Sequence, residues 1–168
     1  FKTVAGAEKV QRLYFEVFPL IRTWQHHTCD LAEKQGYIRS PYGVPHRFYQ
    51  VYNYKKDPDT GEWTKVLGDD AKRCVAYNPQ HTAAVIMRRA LWLLGQHADI
   101  RPYLRLTIHD ELLWECPTEM HDRVDATIQH IMEAPQPELP LDPDWQMGRW
   151  LTIQTEGKHG TRWGSMLH

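Results

Sequence analysis

Cysteine, net charge and long apolar runs are all scarce in this sequence, and each shortage excludes a class of protein. Its three cysteines, Cys29, Cys74 and Cys116, are odd in number and widely separated, which excludes a disulfide framework and a Cys-x-x-Cys zinc site. No apolar run approaches the roughly 20 residues of a membrane-spanning helix. We therefore expect reduced thiols, no membrane contact and a cytoplasmic location.

The charge of the chain is nearly balanced, with a net charge of −1 and a pI near 6.9. A free-standing nucleic-acid-binding protein usually has an excess of basic residues over its surface. Here the basic residues are local, at Lys72, Arg73, Arg88 and Arg89, and the acidic residues gather between 110 and 144. Any nucleic acid would therefore have to be bound by local patches.

Large apolar side chains, by contrast, are plentiful. Seven tryptophans, eight tyrosines and four phenylalanines among 168 residues are enough for the core of one domain. The chain begins at Phe1, in a segment with helical spacing and without an initiator methionine. We therefore expect a fragment whose upstream part is missing.

Two helices are predicted first along the chain. Apolar residues recur at intervals of three and four from Ala7 to Phe18, which predicts a helix with one buried face. Pro19 bends or breaks this helix because its ring removes a backbone donor. The helical spacing resumes at Ile21, and Gly36 is suited to end the second helix.

A β-hairpin insertion is predicted at about 37–67, because turn residues at 57–61 separate two aromatic and β-branched runs. The next helix, at about 70–95, is expected to be capped by Asp69 or Asp70 and ended by Gly95. Pro79 lies inside that range, so the first part of the helix is expected to be a separate turn or a kinked arm.

The remainder of the chain, 101–168, is predicted to begin with a hairpin at about 103–116. A helix capped by Thr118 follows at about 119–133, then an irregular crossing with Pro135, Pro137 and Pro140, and a final strand at 150–154. Helices and hairpins in this order indicate an α+β fold.

His109-Asp110-Glu111 is the most informative motif of the chain. It lies between the alternating apolar run Leu104 to Ile108 and a second apolar run that ends at Trp114, a pattern typical of a buried strand that turns at the acidic pair. Two carboxylates at the end of a stiff hairpin suit a hard divalent cation such as Mg²⁺. The alternative is a polar hairpin tip whose charges are only solvated.

Several other segments form an ordered series with this motif. They are Tyr14-Phe15 with Pro19 and Trp24; Gly36-Tyr37-Ile38 with Tyr42-Gly43 and Arg47; Gln80 with Thr82-Ala83-Ala84; Ile108 to Glu115 with Pro117; and Gly160 to Gly164 around Trp163. In this order they resemble the C-terminal part of the A-family, DNA polymerase I-like, DNA polymerases. The resemblance covers nearly the whole chain.

The resemblance implies a two-metal nucleotidyl transfer with Mg²⁺, for which Mn²⁺ can substitute. Asp110 would be a metal ligand, Glu111 an outer-shell or occasional ligand, and His109 would approach the primer-terminal backbone. Alternatively, His109 is a hairpin residue satisfied by a backbone group and Glu111 a solvated neighbour. The implied domains are fingers-to-palm helices at 1–100 and a C-terminal palm at 101–168.

The resemblance also implies a DNA-contacting helix at about 70–95. An amide such as that of Gln80 can donate to the minor-groove acceptors that every correct base pair presents, so it checks pairing without reading sequence. Arg47, Asn78 and Arg73 would be further DNA contacts. The alternative for Gln80 is an ordinary exposed side chain near a helix kink.

Some residues depart from the family pattern. His81 stands where Gly or Ser is usual, Val85 where Asp is common, and Val44-Pro45 replaces a more basic pair. The hairpin insertion is also absent from the bacterial repair enzymes. These features favour a phage-like member, and they leave open the DNA contacts that precede Gln80.

The sequence contains neither the family's second carboxylate motif, an Asp-Tyr-Ser-like strand, nor its Lys and Tyr-Gly helix for the incoming triphosphate. We therefore expect the chain to be inactive alone and to need a missing N-terminal polymerase portion, in the same chain or as a split subunit. The partners of the whole would be primer-template DNA and deoxynucleoside triphosphates, in a bacterial cell or a phage-infected host. A non-catalytic DNA-binding or structural module is the alternative.

Overall fold

The computed structural model describes residues 3–162. The chain divides between Gln80 and His81 into two compact units, called here the first and the second unit. Trp163 and Gly164, which belong to the last segment of the predicted resemblance, lie outside the described residues.

Two consecutive helices open the first unit. Helix α1 spans Val4–Val17, with the Thr3 hydroxyl accepting a hydrogen bond from the Gly6 amide as its N-cap. Helix α2 spans Pro19–Gln35, with Pro19 in its first turn, and ends at Gly36, whose φ of +77° is the left-handed conformation that glycine adopts cheaply. The predicted break at Pro19 and the predicted cap at Gly36 are both confirmed.

The predicted buried face of the first helix is wrong. No residue of α1 is buried, and the apolar residues on which the prediction rested are exposed by 45% to 68% in Val10, Leu13, Tyr14, Val17 and Phe18. The helical spacing is real, but no element among the described residues covers that face.

Two small antiparallel hairpins follow. Strands β1 (Tyr37–Arg39) and β2 (Pro45–Arg47) form one hairpin, which the sequence analysis did not separate. Strands β3 (Tyr52–Lys56) and β4 (Trp63–Leu67) form the predicted one around the turn at 57–61. The Asp57 carboxylate accepts hydrogen bonds from the amides of Asp59 and Thr60, which closes that turn and lowers the pKa of Asp57.

The core of the first unit consists of buried residues from each of its parts: Cys29, Ala32, Ile38, Phe48, Val51, Ala71 and Cys74. The Cys74 thiol donates to the Thr28 carbonyl at 3.7 Å, and burial raises its pKa to about 12. These buried thiols are free, as the sequence predicts.

Helix α3 spans Ala71–Gln96 and crosses the division between the units. It is continuous through Pro79, so the predicted separate turn is wrong, and the alternative prediction of a kinked arm stays a prediction. It also extends one residue beyond Gly95, the predicted end. Pro79 removes the amide that would bond to the Val75 carbonyl, and its ring crowds that carbonyl, but the other backbone hydrogen bonds of this 26-residue helix keep it continuous.

The second unit contains the predicted central hairpin. Strand β5 spans Leu104–Ile108 and β6 spans Glu111–Trp114, after a single 3₁₀ turn at Arg101–Tyr103. Helix α4 spans His121–Met132 and follows a second 3₁₀ turn, Thr118–Met120, so Thr118 is not the predicted cap of the helix.

The proline-rich segment forms a strand, where the sequence analysis predicts an irregular crossing. Strand β7 (Gln136–Pro140) pairs antiparallel with β8, which is confined to Trp150–Leu151 instead of 150–154. The register shifts between the pairs formed by Gln136 and Pro140, which accommodates prolines that cannot donate to a ladder.

Helices and small antiparallel hairpins make up both units, so the predicted α+β class is confirmed. Within residues 3–162, no helix combines the length and apolar character needed to cross a membrane.

Candidate catalytic hairpin and DNA-contacting residues

His109 and Asp110 form the two-residue turn between β5 and β6, and Glu111 is the first residue of β6, paired with Ile108. All three side chains are exposed. His109 has a φ of +54°, a left-handed conformation that is uncommon outside glycine and that asparagine, aspartate and histidine adopt more often than other residues. The sequence analysis thus placed the motif correctly at the tip of a hairpin.

One face of this hairpin packs against helices and the other does not. Leu112 and Trp114 pack on a core cluster that contains Ala90, Leu94 and Ile131. Neighbouring residues of a strand point to opposite faces, so Glu111 lies on the face opposite to Leu112. Leu106, which is paired with Leu113 on the face of Glu111, is 46% exposed.

The prediction of a fully buried strand is therefore wrong, because no residue of β5 or β6 is buried. The ribbon has one covered face, with Leu112 and Trp114, and one open face, and the alternating residues Leu106 and Ile108 of β5 lie on the open face. The open face carries the Glu111 carboxylate beside apolar side chains.

The base of the hairpin is fixed by hydrogen bonds outside its own ladder. The Glu115 amide donates to the Tyr103 carbonyl at 2.9 Å. The Arg105 guanidinium donates to the Pro102 carbonyl at 2.6 Å and to the Glu115 carboxylate at 3.0 Å. These contacts fix the start of β5 and the end of β6, so the turn that carries Asp110 lies at the tip of a hairpin whose base is held in place.

The carboxylates of the turn are suitable ligands for a hard cation, but they are too few to enclose one. Asp110 and Glu111 are adjacent carboxylates, and no hydrogen bond or ion pair with another described residue occupies them. Oxygen ligands of this kind are those that Mg²⁺ prefers. Among residues 3–162, however, no three side chains of His, Cys, Asp or Glu are grouped so that they could enclose a metal ion. The turn therefore offers part of a metal site.

The residues predicted to contact DNA all lie in the first unit. Arg47, on β2, is exposed, and so is Gln80, on α3 beside Pro79. Asn78 is half-buried, and its Oδ1 is buried without a hydrogen-bond partner among the described residues. Arg47 and Gln80 are therefore accessible without a rearrangement, whereas the Asn78 amide is not.

Arg73 is held by Asp70, an interaction that the sequence analysis missed. The Asp70 Oδ1 atom lies 2.8 Å from an Arg73 guanidinium nitrogen, and Oδ2 accepts hydrogen bonds from the Tyr49 and Gln50 amides at 3.1 and 3.4 Å. These amides, together with Arg73, hold the pKa of Asp70 below its usual range. Asp70 thus fastens a loop to the start of α3, from the position directly before the first residue of the helix, where the sequence analysis predicts a cap.

Comparison with known proteins identifies the family. The family model for DNA polymerase family A matches residues 2–153, most of the chain. The chain belongs to DNA polymerase family A. The resemblance inferred from His109-Asp110-Glu111 and the preceding segments is therefore confirmed at the level of the family.

Curated relatives of this family A chain are bacterial DNA polymerases I. DNA polymerase I of Deinococcus radiodurans is 33% identical over 151 residues, which cover 84% of this chain and 15% of the relative. The thermostable DNA polymerase I of Thermus thermophilus is 32% identical over 145 residues, with 84% and 16% covered. That of Thermus filiformis is 30% identical over 154 residues, with 89% and 17% covered.

The family A chain thus spans 15% to 17% of the length of these relatives. The matched region contains the hairpin with Asp110 and the helix with Gln80. The greater part of each relative has no counterpart in the 168 residues.

Proposed function

We propose that this chain is the C-terminal part of a DNA-directed DNA polymerase that performs template-dependent nucleotidyl transfer by a two-metal mechanism. The observation that carries the proposal is the position of Asp110, in an exposed two-residue turn of an anchored hairpin, in a chain of family A. Under this proposal the second unit contributes to the palm, and the first unit contributes helices between fingers and palm.

Asp110 and Glu111 are the residues that would hold Mg²⁺, or Mn²⁺ in its place. When bound, the two ions would supply activation of the primer 3′-hydroxyl and stabilisation of the leaving pyrophosphate. The chain itself contributes placement: the anchored strands fix the backbone at Asp110, so little reorganisation is needed to present its carboxylate. His109, at the other turn position, would contact the primer-terminal backbone.

The first unit would bind primer-template DNA. Gln80 is exposed on α3 and can donate to acceptors in the minor groove, which are present in every correct base pair. Arg47 and Arg73 would bind backbone phosphates, and Asn78 would lie near the DNA behind Gln80. Phosphoryl transfer depends mainly on such positioning and on neutralisation of charge.

The remainder of the site would come from an N-terminal polymerase portion, in the same chain or as a separate subunit. It would supply the second carboxylate and the helix that binds deoxynucleoside triphosphates. The exposed apolar residues of α1 support this proposal, because soluble proteins rarely leave such a face uncovered. A phage-type polymerase acting in the cytoplasm of a bacterial cell or an infected host would fit the departures at His81 and Val85.

Replacing Asp110 tests the function. In the polymerase that carries this chain, or in the chain together with its complementing portion, Asp110→Asn is expected to lower the rate of primer extension by roughly 10³-fold or more, since it removes a charged group from the reacting centre. DNA affinity should change little. Asp144→Asn, the same substitution at an exposed position of the second unit, is the matched control and should keep full activity.

The second candidate is a non-catalytic DNA-binding or structural module that retains the palm hairpin. The observation that favours it is the lack of a three-residue metal-binding group within residues 3–162. If the complemented wild-type protein binds primer-template but never extends it, this second candidate replaces the first.

A further inference from the structure

Tyr49 is a strongly exposed aromatic residue two positions after Arg47. The chain leaves β2 at Arg47, buries Phe48 to 4% exposure in the core of the first unit, and then turns Tyr49 outward with 82% of its surface exposed. Arg47 is also exposed, so the residues on either side of Phe48 both reach solvent. No core contact accounts for an aromatic ring at position 49.

The carboxylate of Asp70 brings Arg73 to the same place. One carboxylate oxygen accepts the Tyr49 amide at 3.1 Å, and the other lies 2.8 Å from the Arg73 guanidinium. Because both groups bind one carboxylate, Arg73 and the backbone of Tyr49 are neighbours. The Arg73 side chain is still 69% exposed, so it can bind a second anion.

The backbone under Tyr49 is fixed. The Asp70 amide donates to the Gln50 carbonyl at 3.0 Å, and the Gly68 amide donates to the Val51 carbonyl at 2.8 Å. Gly68 lies so close to the Gln50 carbonyl that no side chain would fit there. The ring is therefore presented from a rigid segment, which lowers the entropy lost when a ligand stacks on it.

The charges around Tyr49 favour an anionic partner. Arg73 and Asp70 form an ion pair whose charges offset each other, and the Tyr49 and Gln50 amides also bind the Asp70 carboxylate. Of the other charged residues in these segments, Arg47 and Lys72 are cationic and Asp69 is anionic, which leaves a cationic excess. An exposed ring flanked by cations is the arrangement with which proteins bind single-stranded nucleic acid, bases stacking on the ring while phosphates meet the cations.

We propose that Tyr49 stacks on an unpaired base of the template strand while Arg47 and Arg73 bind the phosphates on either side. The proposal rests on the proposed function and adds to it a residue that contacts single-stranded template. Paired bases are excluded as the main partner, because their faces are covered by their neighbours in the duplex.

The test compares two single-stranded probes on the 168-residue chain. Dissociation constants are measured by fluorescence anisotropy for a short labelled oligothymidylate and for an abasic oligomer of equal length. Tyr49→Leu is expected to weaken oligothymidylate binding about tenfold, the size of one base–aromatic stacking contact. It should leave binding of the abasic oligomer unchanged, and Tyr49→Phe should bind both oligomers like the wild type.

Two further variants separate stacking from charge and from general loss of a tyrosine. Arg47→Gln should weaken the binding of both oligomers to the same extent. It should also reduce the dependence of the dissociation constant on salt concentration by about one phosphate contact. Tyr14→Leu, which removes a half-exposed tyrosine of α1, is the matched control and should have no effect on binding.

The proposal is overturned if Tyr49→Leu binds oligothymidylate like the wild type, or if it weakens binding of the abasic oligomer to the same extent. Neither result depends on nucleotidyl transfer, so the Asp110→Asn assay remains an independent test of the proposed function.

Discussion

Two glycines show how differently one residue type can act in this chain. A Cβ placed on Gly68 would meet the Gln50 carbonyl oxygen at 2.2 Å, a distance that forces the backbone to move. A Cβ placed on Gly95, near the end of α3, would meet nothing within 4 Å. Gly68 is therefore required by the close approach of two backbone segments, and Gly95 is not required by packing.

We expect opposite effects when each is replaced by alanine. Gly68→Ala should lower the free energy of unfolding of the first unit by about 1–3 kcal/mol, because the added methyl group would overlap the Gln50 carbonyl. Gly95→Ala should raise the stability of α3 by about 0.5–1 kcal/mol, because it restricts the unfolded chain. Urea denaturation of the two variants measures both changes. A Gly68→Ala variant as stable as the wild type would contradict the close approach to Gln50.

For the His109-Asp110-Glu111 motif, the sequence predicts its place in the hairpin better than it predicts which residues surround it. The apolar runs on either side of His109-Asp110-Glu111 were sufficient to place the motif at a hairpin tip. Which face Glu111 shares with Leu106 depends on a register that follows only from the structure. The role of Asp70 was also hidden, because its partners Tyr49 and Gln50 are about 20 residues away in sequence.

At the scale of the elements, periodicity predicts which residues share a face but not what covers that face. The apolar spacing of α1 correctly predicts a helix, yet Leu13 and Val17 are exposed. A hydrophobic stripe is stabilised only by a partner, and no described element covers this stripe, although α2 contacts α1 elsewhere.

Proline was the other source of error. Pro79 lies inside α3, and the prolines at 137 and 140 lie inside β7, although local rules predict a break at each. A long helix can lose one backbone hydrogen bond, and an edge strand with a register shift does not need every donor. Tertiary context therefore overrode the local preference.

Glu133, directly after α4, connects the end of this helix to Thr155, near the end of the described residues. Its Oε1 atom accepts hydrogen bonds from the amide and hydroxyl of Thr155 at 2.8 and 2.9 Å, and from the Gln129 side chain at 3.2 Å. These donors lower the pKa of Glu133 from its ordinary value of 4.5, the Thr155 amide having the largest effect.

This contact is expected to depend on pH. A carboxyl whose pKa is lowered by folding stabilises the folded state above its unfolded pKa, and loses this contribution as the pH falls through the folded value. The protection factor of the Thr155 amide, which is its exchange rate relative to that of an unstructured peptide at the same pH, should therefore fall several-fold as the pH is lowered below 4.5. Glu133→Gln should show the lower protection factor already at neutral pH, as measured by NMR hydrogen exchange.

Glu119→Gln, an exposed glutamate in the 3₁₀ turn before α4, is the control for loss of charge alone. It should leave the exchange of the Thr155 amide unchanged at every pH. Equal acceleration in both variants would mean that the carboxylate of Glu133 does not hold Thr155.

At the scale of the whole molecule, the proposed function requires more carboxylates than the pair at Asp110 and Glu111. Asp110 and Glu111 are adjacent, whereas a two-metal site needs ligands that enclose both ions from different sides. We expect the purified 168-residue chain to show no primer extension with Mg²⁺ and the deoxynucleoside triphosphates. Extension by this chain alone would refute the expectation.

Adding a polymerase portion that carries the second carboxylate and the triphosphate-binding helix should restore extension. Restoration should fail with Asp110→Asn and succeed with Asp144→Asn, which distinguishes a shared catalytic site from simple stabilisation of either part. The assay is gel-resolved extension of a labelled primer, with each part also tested separately.

The left-handed turn at His109 has a consequence for any redesign of this protein. A non-glycine residue at such a φ gives up about 1 kcal/mol or more relative to glycine. A procedure that ranks substitutions by folding stability would therefore choose glycine or asparagine at position 109 and discard the imidazole. Under the proposed contact of His109 with the primer-terminal backbone, the most stable turn and the functional turn are different sequences, so thermostabilisation of this chain should hold position 109 fixed.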